Sequence, residues 1–231
     1  MKRLSMLGFM ILVSASVFAL TETWGTIGFE WGNFFEDTPA SGNTFLSSPG
    51  LTSNAYSFKD RKDSGVFVHT SVLFPVIKTA NGDAAAPETD ISKFDSIIQL
   101  GMIIGPGFRH HFNERLKLIF GFGFDIIERI AWSSEYDGDT ATQEYYNFSC
   151  NMGVGGDVGV KYDLSDKLFI NVGAAISVDF LTWGVTEASS PNFKSRTTNW
   201  SDVKMSASIR PYIAIGFNTY YEQPAVFGKP Q

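Results

Sequence analysis

Cysteine is almost missing from this 231-residue chain: Cys150 stands alone. A single thiol excludes an internal disulfide framework, so an exported fold of this sequence must be closed by hydrogen bonding and packing. Basic residues are also in short supply, with 18 Lys and Arg against 24 Asp and Glu and only three His. A net charge of −6 offers no basic face to phosphates, so nucleic acid is not an expected partner. A mean hydropathy near zero does not describe a bundle of membrane helices. Internal repeats, linkers and a second compositional zone are absent too, and the length suits one large β domain. What the chain does have is 21 Phe, 8 Tyr, 5 Trp and 22 Gly. That load fits strands and a crowded interior better than helices.

Residues 1–19 read as a secretory signal. Lys2 and Arg3 form the basic start, 4–18 the apolar core, and Val17-Phe18-Ala19 supplies the small processing residues, with cleavage expected after Ala19. No Cys follows the junction, which argues against a lipoprotein. The alternative, an uncleaved anchor, would need about 20 apolar residues. Removing Lys2 and Arg3 takes the basic count from 18 to 16 against 24 acidic residues, a net charge near −8.

The stretch YYNFSCNMGVGGDVGVKY, residues 145–162, shows the main pattern. Tyr146, Phe148, Cys150, Met152, Val154, Val158, Val160 and Tyr162 alternate with Tyr145, Asn147, Ser149, Asn151, Asp157, Gly159 and Lys161. One face is apolar with aromatic ends and the other is small, polar or charged, the period of two of a β-strand. At strand rise the run is roughly 60 Å long. The same alternation marks strands over 23–34, 51–59, 65–77, 96–112, 116–132, 168–183 and 202–220, eight in all. Ile27, Phe29 and Trp31 share one face of the first, and Phe120, Phe122 and Phe124 share one face of the fifth. Long loops are expected at 36–50, 79–90, 134–143 and 186–201, and short turns at 60–64, 113–115 and 163–166. Long and short connections therefore alternate.

These features predict an all-β fold: an eight-stranded antiparallel up-and-down transmembrane β-barrel over 20–221, after the signal at 1–19 and before a polar tail at 222–231. In hydrocarbon a sheet must close on itself, and eight strands enclose a space that side chains fill. The apolar face then meets lipid and the polar face becomes the interior. Glu30, Asp125, Asp157 and Asp179 fall on the inward face, with Arg109, Arg129, Arg210, Lys161 and Lys204. Buried charges persist when paired, so Glu30, Arg109, Asp125, Arg129, Asp157, Asp179 and Arg210 are expected to form an interior charge network. Inward glycines such as Gly101, Gly121 and Gly159 make room for those chains. Aromatic girdles are expected from Tyr145, Tyr146, Trp132, Trp183, Phe34 and Phe35 at the external end. At the other end they are expected from Tyr162, Phe112, Tyr220, Tyr221 and Trp24.

No catalytic, cofactor or metal site is expected. His69 and Ser71 share a strand face, as a lipid hydrolase would require, but that face is the inward one. His110 and His111 are adjacent in a strand and point opposite ways, so they cannot share one ion. Asp137-Gly138-Asp139 lacks the spacing and flanking helices of a calcium loop. The glycines at 153, 155, 156 and 159 precede no helix and are explained by strand alternation rather than nucleotide binding.

The signal, eight two-faced strands and turn phrases HHFNERLKL and YDLSDKLFI together resemble the small eight-stranded outer-membrane barrels of the OmpX, OmpA-barrel and OmpW kind, over the whole of 20–221. The resemblance implies residence in the cell outer membrane and a structural or interaction role, with a narrow pore as a variant. Its implied partners are outer-membrane lipid, the barrel-assembly machinery and external surface ligands met by the loops. Such barrels end in an aromatic residue at the last strand position, whereas here about ten residues follow Tyr220. Two other readings are an OmpW-like channel for small hydrophobic solutes and a soluble periplasmic lipid-binding barrel with its apolar face inward.

Overall fold

The computed structural model describes residues 22–38, 42–58, 62–81, 94–137, 140–190, 193–201 and 205–220. The expected signal segment at 1–19, Lys204, Tyr221 and the expected tail at 222–231 fall outside these residues. Among the described residues there are ten strands, all antiparallel: β1 (Glu22–Thr38), β2 (Gly42–Phe58), β3 (Ser64–Leu73), β4 (Ile77–Asn81), β5 (Ser96–His111), β6 (Leu116–Asp137), β7 (Thr140–Asp163), β8 (Leu168–Ser190), β9 (Phe193–Ser201) and β10 (Ser206–Tyr220). Eight of them make a ring in the order β1-β2-β3-β5-β6-β7-β8-β10. Pairing of β1 with β10, from Glu22↔Tyr220 to Glu36↔Ser206, closes it. The closed ring leaves no sheet edge in the lipid.

The two extra strands extend staves of this ring. β4 continues β3 along β2 after a break at 74–76, where Pro75 has no N–H to give. The N–H groups of Phe74 and Val76 still reach the carbonyls of Pro49 and Ser47. β9 pairs with the upper part of β8, from Thr182↔Ser201 to Ser190↔Phe193, while β10 pairs with the lower part.

The expected long loops are largely strand. Residues 36–38 pair with 42–44, and β1 and β2 stay paired from Thr38↔Gly42 downward. Residues 134–137 pair with 140–144 up to Asp137↔Thr140, and 186–190 pair with 193–197 across β8 and β9. Of 79–90, Thr79–Asn81 is strand and the rest lies outside the described residues. Polar composition suggests loops because the hydrophobic alternation fades there. A strand that has left the hydrocarbon no longer needs an apolar face, but its backbone still pairs. At the other end the connections are short. Asn113 Oδ1 accepts from the N–H groups of Arg115 and Leu116, at 2.9 and 2.8 Å, which closes the turn between β5 and β6. Ser165 Oγ accepts from the Leu168 N–H at 3.1 Å in the turn before β8.

The apolar face is outside. Ile27, Phe29, Phe122, Phe124, Val154, Val172, Ile176, Ile213, Ile215 and Phe217 are exposed, while Glu30, His69, Asp125, Asp157, Lys161 and Arg210 are buried. This is the inverse of a water-soluble protein, and an apolar-lined ligand cavity with a charged outer face does not describe this barrel. Three girdle assignments are corrected. Trp24 and Phe34 are buried in the interior, because they share the even-numbered face of β1 with Glu30. Tyr145 likewise packs inward, against the apolar cluster around Phe34. Trp132, Phe35, Tyr162 and Phe112 are exposed at the ends of the apolar belt. A register shift between Met152 and Gly153 leaves Phe180 and Leu181 both outward on β8.

Candidate functional site in the barrel interior

The interior is built in tiers along the barrel axis. At the short-turn end, Arg109 Nη1 lies 2.6 Å from Glu22 Oε2 and Arg109 Nε 3.1 Å from Asp63 Oδ1. Lys117 and Lys161 both pair with Asp163, which also accepts from Asn218 Nδ2 at 3.1 Å. These cations lie over aromatic faces: Arg109 is 4.6 Å from the Phe58 ring, and Lys161 is 4.4 and 4.3 Å from Trp24 and Phe169. A buried ammonium gains from such faces when water is excluded.

Above this tier an apolar cluster joins Trp24, Tyr56, Phe58, Phe67, Ile103, Ile119, Phe169 and Ala175. Tyr56 stacks on Phe67 with ring centroids 5.6 Å apart. Gly121 is required here, since a Cβ at that position would come within 2.3 Å of the Phe67 ring.

The middle tier centres on His69, whose ring has a carboxylate on each side. Nε2 is 2.9 Å from Glu30 Oε2 and Nδ1 is 3.4 Å from Asp157 Oδ2, with all three side chains fully buried. Only the imidazolium can donate from both nitrogens. Asp157 also accepts from the hydroxyls of Tyr56 and Tyr212, the latter at 3.0 Å. Arg210 Nη2 donates to Asp125 Oδ1 at 3.1 Å, and Ser206 Oγ donates to Asp179 Oδ2 at 3.0 Å.

Near the loop end, Arg129 makes a bidentate pair with Glu36, which Asn151 Nδ2 joins at 3.3 Å. Ser48 donates to Gln99 Oε1 at 2.7 Å. A second apolar cluster, Phe34, Leu46, Leu73, Phe94, Ile97, Ile127 and Ala131, fills the rest of this tier.

The seven residues expected to share a network are all buried inside; five of them, Glu30, Asp125, Asp157, Asp179 and Arg210, meet in the middle tier, where the Asp179 and Asp125 carboxyls are in contact, and two stand apart. Glu30 and Asp157 meet through His69; Asp125 and Arg210 pair directly; Asp179 bonds Ser206. Arg129 and Arg109 join none of the other six and use Glu36, Glu22 and Asp63 instead. His69, Glu36, Tyr56 and Tyr212 are the interior partners that the sequence pattern does not name. Glu36 falls in an expected loop, although it continues the even face of Trp24, Glu30 and Phe34. Tyr56 lies in the expected strand over 51–59, where a ring fits either face, and His69, inward in the sequence pattern, suggests only a catalytic role there.

The arrangement suits charge burial rather than acyl chemistry. Both nitrogens of His69 face carboxylates, and Ser71 Oγ bonds neither of them. Among the described residues no three His, Cys, Asp or Glu side chains are grouped to hold a metal ion. His110 stacks edge-on against Phe112, while His111 faces Asp63 at 3.5 Å.

No protein-family model matches the chain, and no curated protein matches it. Solved structures do. A major outer membrane protein from Thermus thermophilus aligns over 84% of this chain and 99% of its own, at 11% identity and a TM-score of 0.55. Neisserial surface protein A aligns over 86% and 97%, at 12% identity and a TM-score of 0.48. The outer membrane protein OprG of Pseudomonas aeruginosa aligns over 87% and 97%, at 12% identity and a TM-score of 0.45. At 11% identity the likeness to the Thermus protein concerns architecture. Together with the closed eight-strand ring, the exposed apolar belt and the charged interior, it means that this chain has the fold of the small eight-stranded outer-membrane β-barrels.

Proposed function

We propose that the protein is an integral outer-membrane barrel with a structural and interaction role, its strands standing in the lipid and its projecting hairpins meeting ligands outside the cell. The observation that carries this reading is the packing of the interior. Two apolar clusters and three charged tiers occupy the space a solute would need. Beyond the belt, β6, β7, β8 and β9 continue as a sheet in which β9 pairs only with β8 among the described residues. Such a sheet presents backbone and polar side chains to partners at the surface. On this reading the partners are the bilayer lipids, the barrel-assembly machinery during insertion, and external surface molecules.

The test uses the full chain expressed in a Gram-negative host. Outer-membrane fractionation and heat-dependent gel mobility follow insertion, and planar-bilayer recording follows conductance. Insertion with no stable conductance steps is the expected outcome; steady open-channel current would overturn the filled-barrel reading. Replacing 186–199 with a short Gly-Ser turn should keep insertion and remove binding to extracellular or cell-surface material.

A second reading, a channel for small hydrophobic solutes, has the loop-end apolar cluster in its favour. Uptake of a small aromatic hydrocarbon by proteoliposomes, sensitive to Leu46→Asp, would support it over the first.

A further inference from the structure

The interior is divided lengthwise as well as in tiers. Both apolar clusters draw chiefly on β1, β2, β3, β5 and β6. The inward positions of β7, β8 and β10 differ. From Asn151 to Asp163, from Asn171 to Asp179 and from Ser206 to Asn218, they hold only Gly, Ala, Ser, Asn, charged residues and Tyr212. A wall of small and polar side chains thus runs from the turn end to the loop end, with the turn-end apolar cluster resting on it at Gly216, under the Phe169 ring, and at Gly155, beside Ile103.

Polar groups follow one another along it. Lys161 sits opposite Asn171 in the register, and Asn171 Nδ2 donates to the Tyr212 hydroxyl at 3.3 Å. The space beside them is kept by Gly159, where a Cβ would come within 2.6 Å of Asn171 Oδ1 and 2.8 Å of the Tyr212 oxygen. Tyr212 donates to Asp157, Asp157 faces His69, and His69 faces Glu30. Buried atoms with no protein partner occur beside this line in both kinds: acceptors such as Glu30 Oε1 and Asp179 Oδ1, and donors such as Arg210 Nη1 and Ser71 Oγ. Buried polar atoms of both kinds in one place are what bridging water satisfies. The charge balance points the same way. Glu30, Asp125, Asp157 and Asp179 are four carboxyls in the middle tier, and His69 and Arg210 are its only two cationic side chains among the described residues. Two acidic groups there have no fixed counter-charge, and a proton is the neutralising species small enough for a packed interior.

We propose that this wall is a proton path: the barrel passes H⁺ between its turn end and its loop end while the two apolar clusters exclude larger ions. In the central hop the His69 imidazolium gives its Nε2 proton to Glu30; the neutral ring then turns over, so that its bare nitrogen faces Asp157 and takes a proton from the protonated carboxyl, restoring the imidazolium. Each hop moves one proton from donor to acceptor, breaks no other bond and needs no oxidant. The proposal goes beyond a structural or interaction role and rests only on the barrel standing in a bilayer.

Purified full-length protein would be reconstituted in phosphatidylethanolamine–phosphatidylglycerol vesicles containing pyranine. An acid jump outside, with valinomycin and K⁺ to dissipate charge, then reports H⁺ entry. Wild-type vesicles should acidify faster than protein-free ones while showing no K⁺ or Cl⁻ conductance. Asp157→Asn should return the rate to that of protein-free vesicles. Gly159→Ala fills the gap beside Tyr212 without changing any charge, and should lower the rate in a barrel that keeps its heat-dependent gel mobility. Wild-type acidification no faster than protein-free vesicles, in samples whose gel mobility shows insertion, would overturn the proton path and leave the membrane reading intact. Flux that neither substitution alters, or an equal K⁺ conductance of the protein measured without valinomycin, would overturn it too. Failure of the wild type to insert would overturn the bilayer reading, and the path with it.

Discussion

His69 Nε2 lies 2.9 Å from Glu30 Oε2, a contact between β3 and β1 in which both side chains are wholly buried. On the other side of the ring Nδ1 meets Asp157 of β7 at 3.4 Å. One imidazole thus ties three staves of the barrel together. His69→Leu removes the cation and leaves two carboxylates facing each other in the interior. Breaking a buried pair from one side costs about 3–5 kcal/mol. Urea unfolding of the refolded barrel, followed by gel mobility, should show a loss in that range. Glu30→Gln combined with His69→Leu should cost less than the two single losses added, since residues in contact couple by about 0.5–3 kcal/mol. Strict additivity would mean that the contact carries no energy.

The two interior arginines that stand apart from the central group should differ in a set order. Arg129 is the bidentate partner of Glu36, and both are buried. Arg109 pairs with Glu22 and with Asp63, whose side chain is 67% exposed. Arg129→Gln strands a carboxylate away from water, whereas Arg109→Gln leaves Asp63 free to hydrate. Arg129→Gln should therefore cost the larger amount, toward about 3 kcal/mol, and Arg109→Gln should stay nearer the ~1 kcal/mol of exposed pairs. The same unfolding assay decides the order, and a reversed order would contradict the tier assignment.

Packing at the turn end makes a sharper demand. Gly121 faces the Phe67 ring so closely that a Cβ would sit 2.3 Å from a ring carbon. Gly121→Ala should cost about 1–3 kcal/mol by overpacking. Phe67→Leu, destabilising by itself, should become less so in the Gly121→Ala background. If Gly121→Ala were neutral, Phe67 would have room to move and the cluster would be loosely packed.

How far such details are legible in the sequence depends on which physical constraint acts where. In the belt, lipid outside and charge inside force a two-residue alternation. The parity of β1, β6 and β8 can therefore be read from Ile27, Phe122 and Val172 on one side and Glu30, Asp125 and Asp179 on the other. The same parity is enough to place Trp24 and Phe34 inward. Position near a strand end suggests a girdle instead, because an aromatic ring is compatible with either surface. Above the belt the alternation disappears, so Glu36, Thr44 and Thr186 look like loop residues although they sit in paired strands. Cross-barrel partners are not legible at all. Nothing local to Glu30 names His69 at a sequence distance of 39, or Glu36 as the partner of Arg129, since a ring of eight strands sets these distances through its register and stagger.

The orientation of the whole barrel has its own test in where a charge is tolerated. Val154 lies outward near the middle of β7, beside Phe124 on β6 and Val178 on β8, all exposed. Phe112 is outward too, but at the turn end, where the belt meets water. An arginine at the bilayer midplane on the lipid face costs about 2–4 kcal/mol, falling to about 0–1 near an interface. Val154→Arg should therefore destabilise the barrel in phospholipid vesicles by about 2 kcal/mol or more, and Phe112→Arg by far less. In water the two sites would be alike, because exposed surface substitutions stay within about 0.5 kcal/mol. Equal and small effects at both positions in vesicles would mean that the belt does not face hydrocarbon. A large effect at 154 alone requires lipid around the centre of the strands, whatever the interior does.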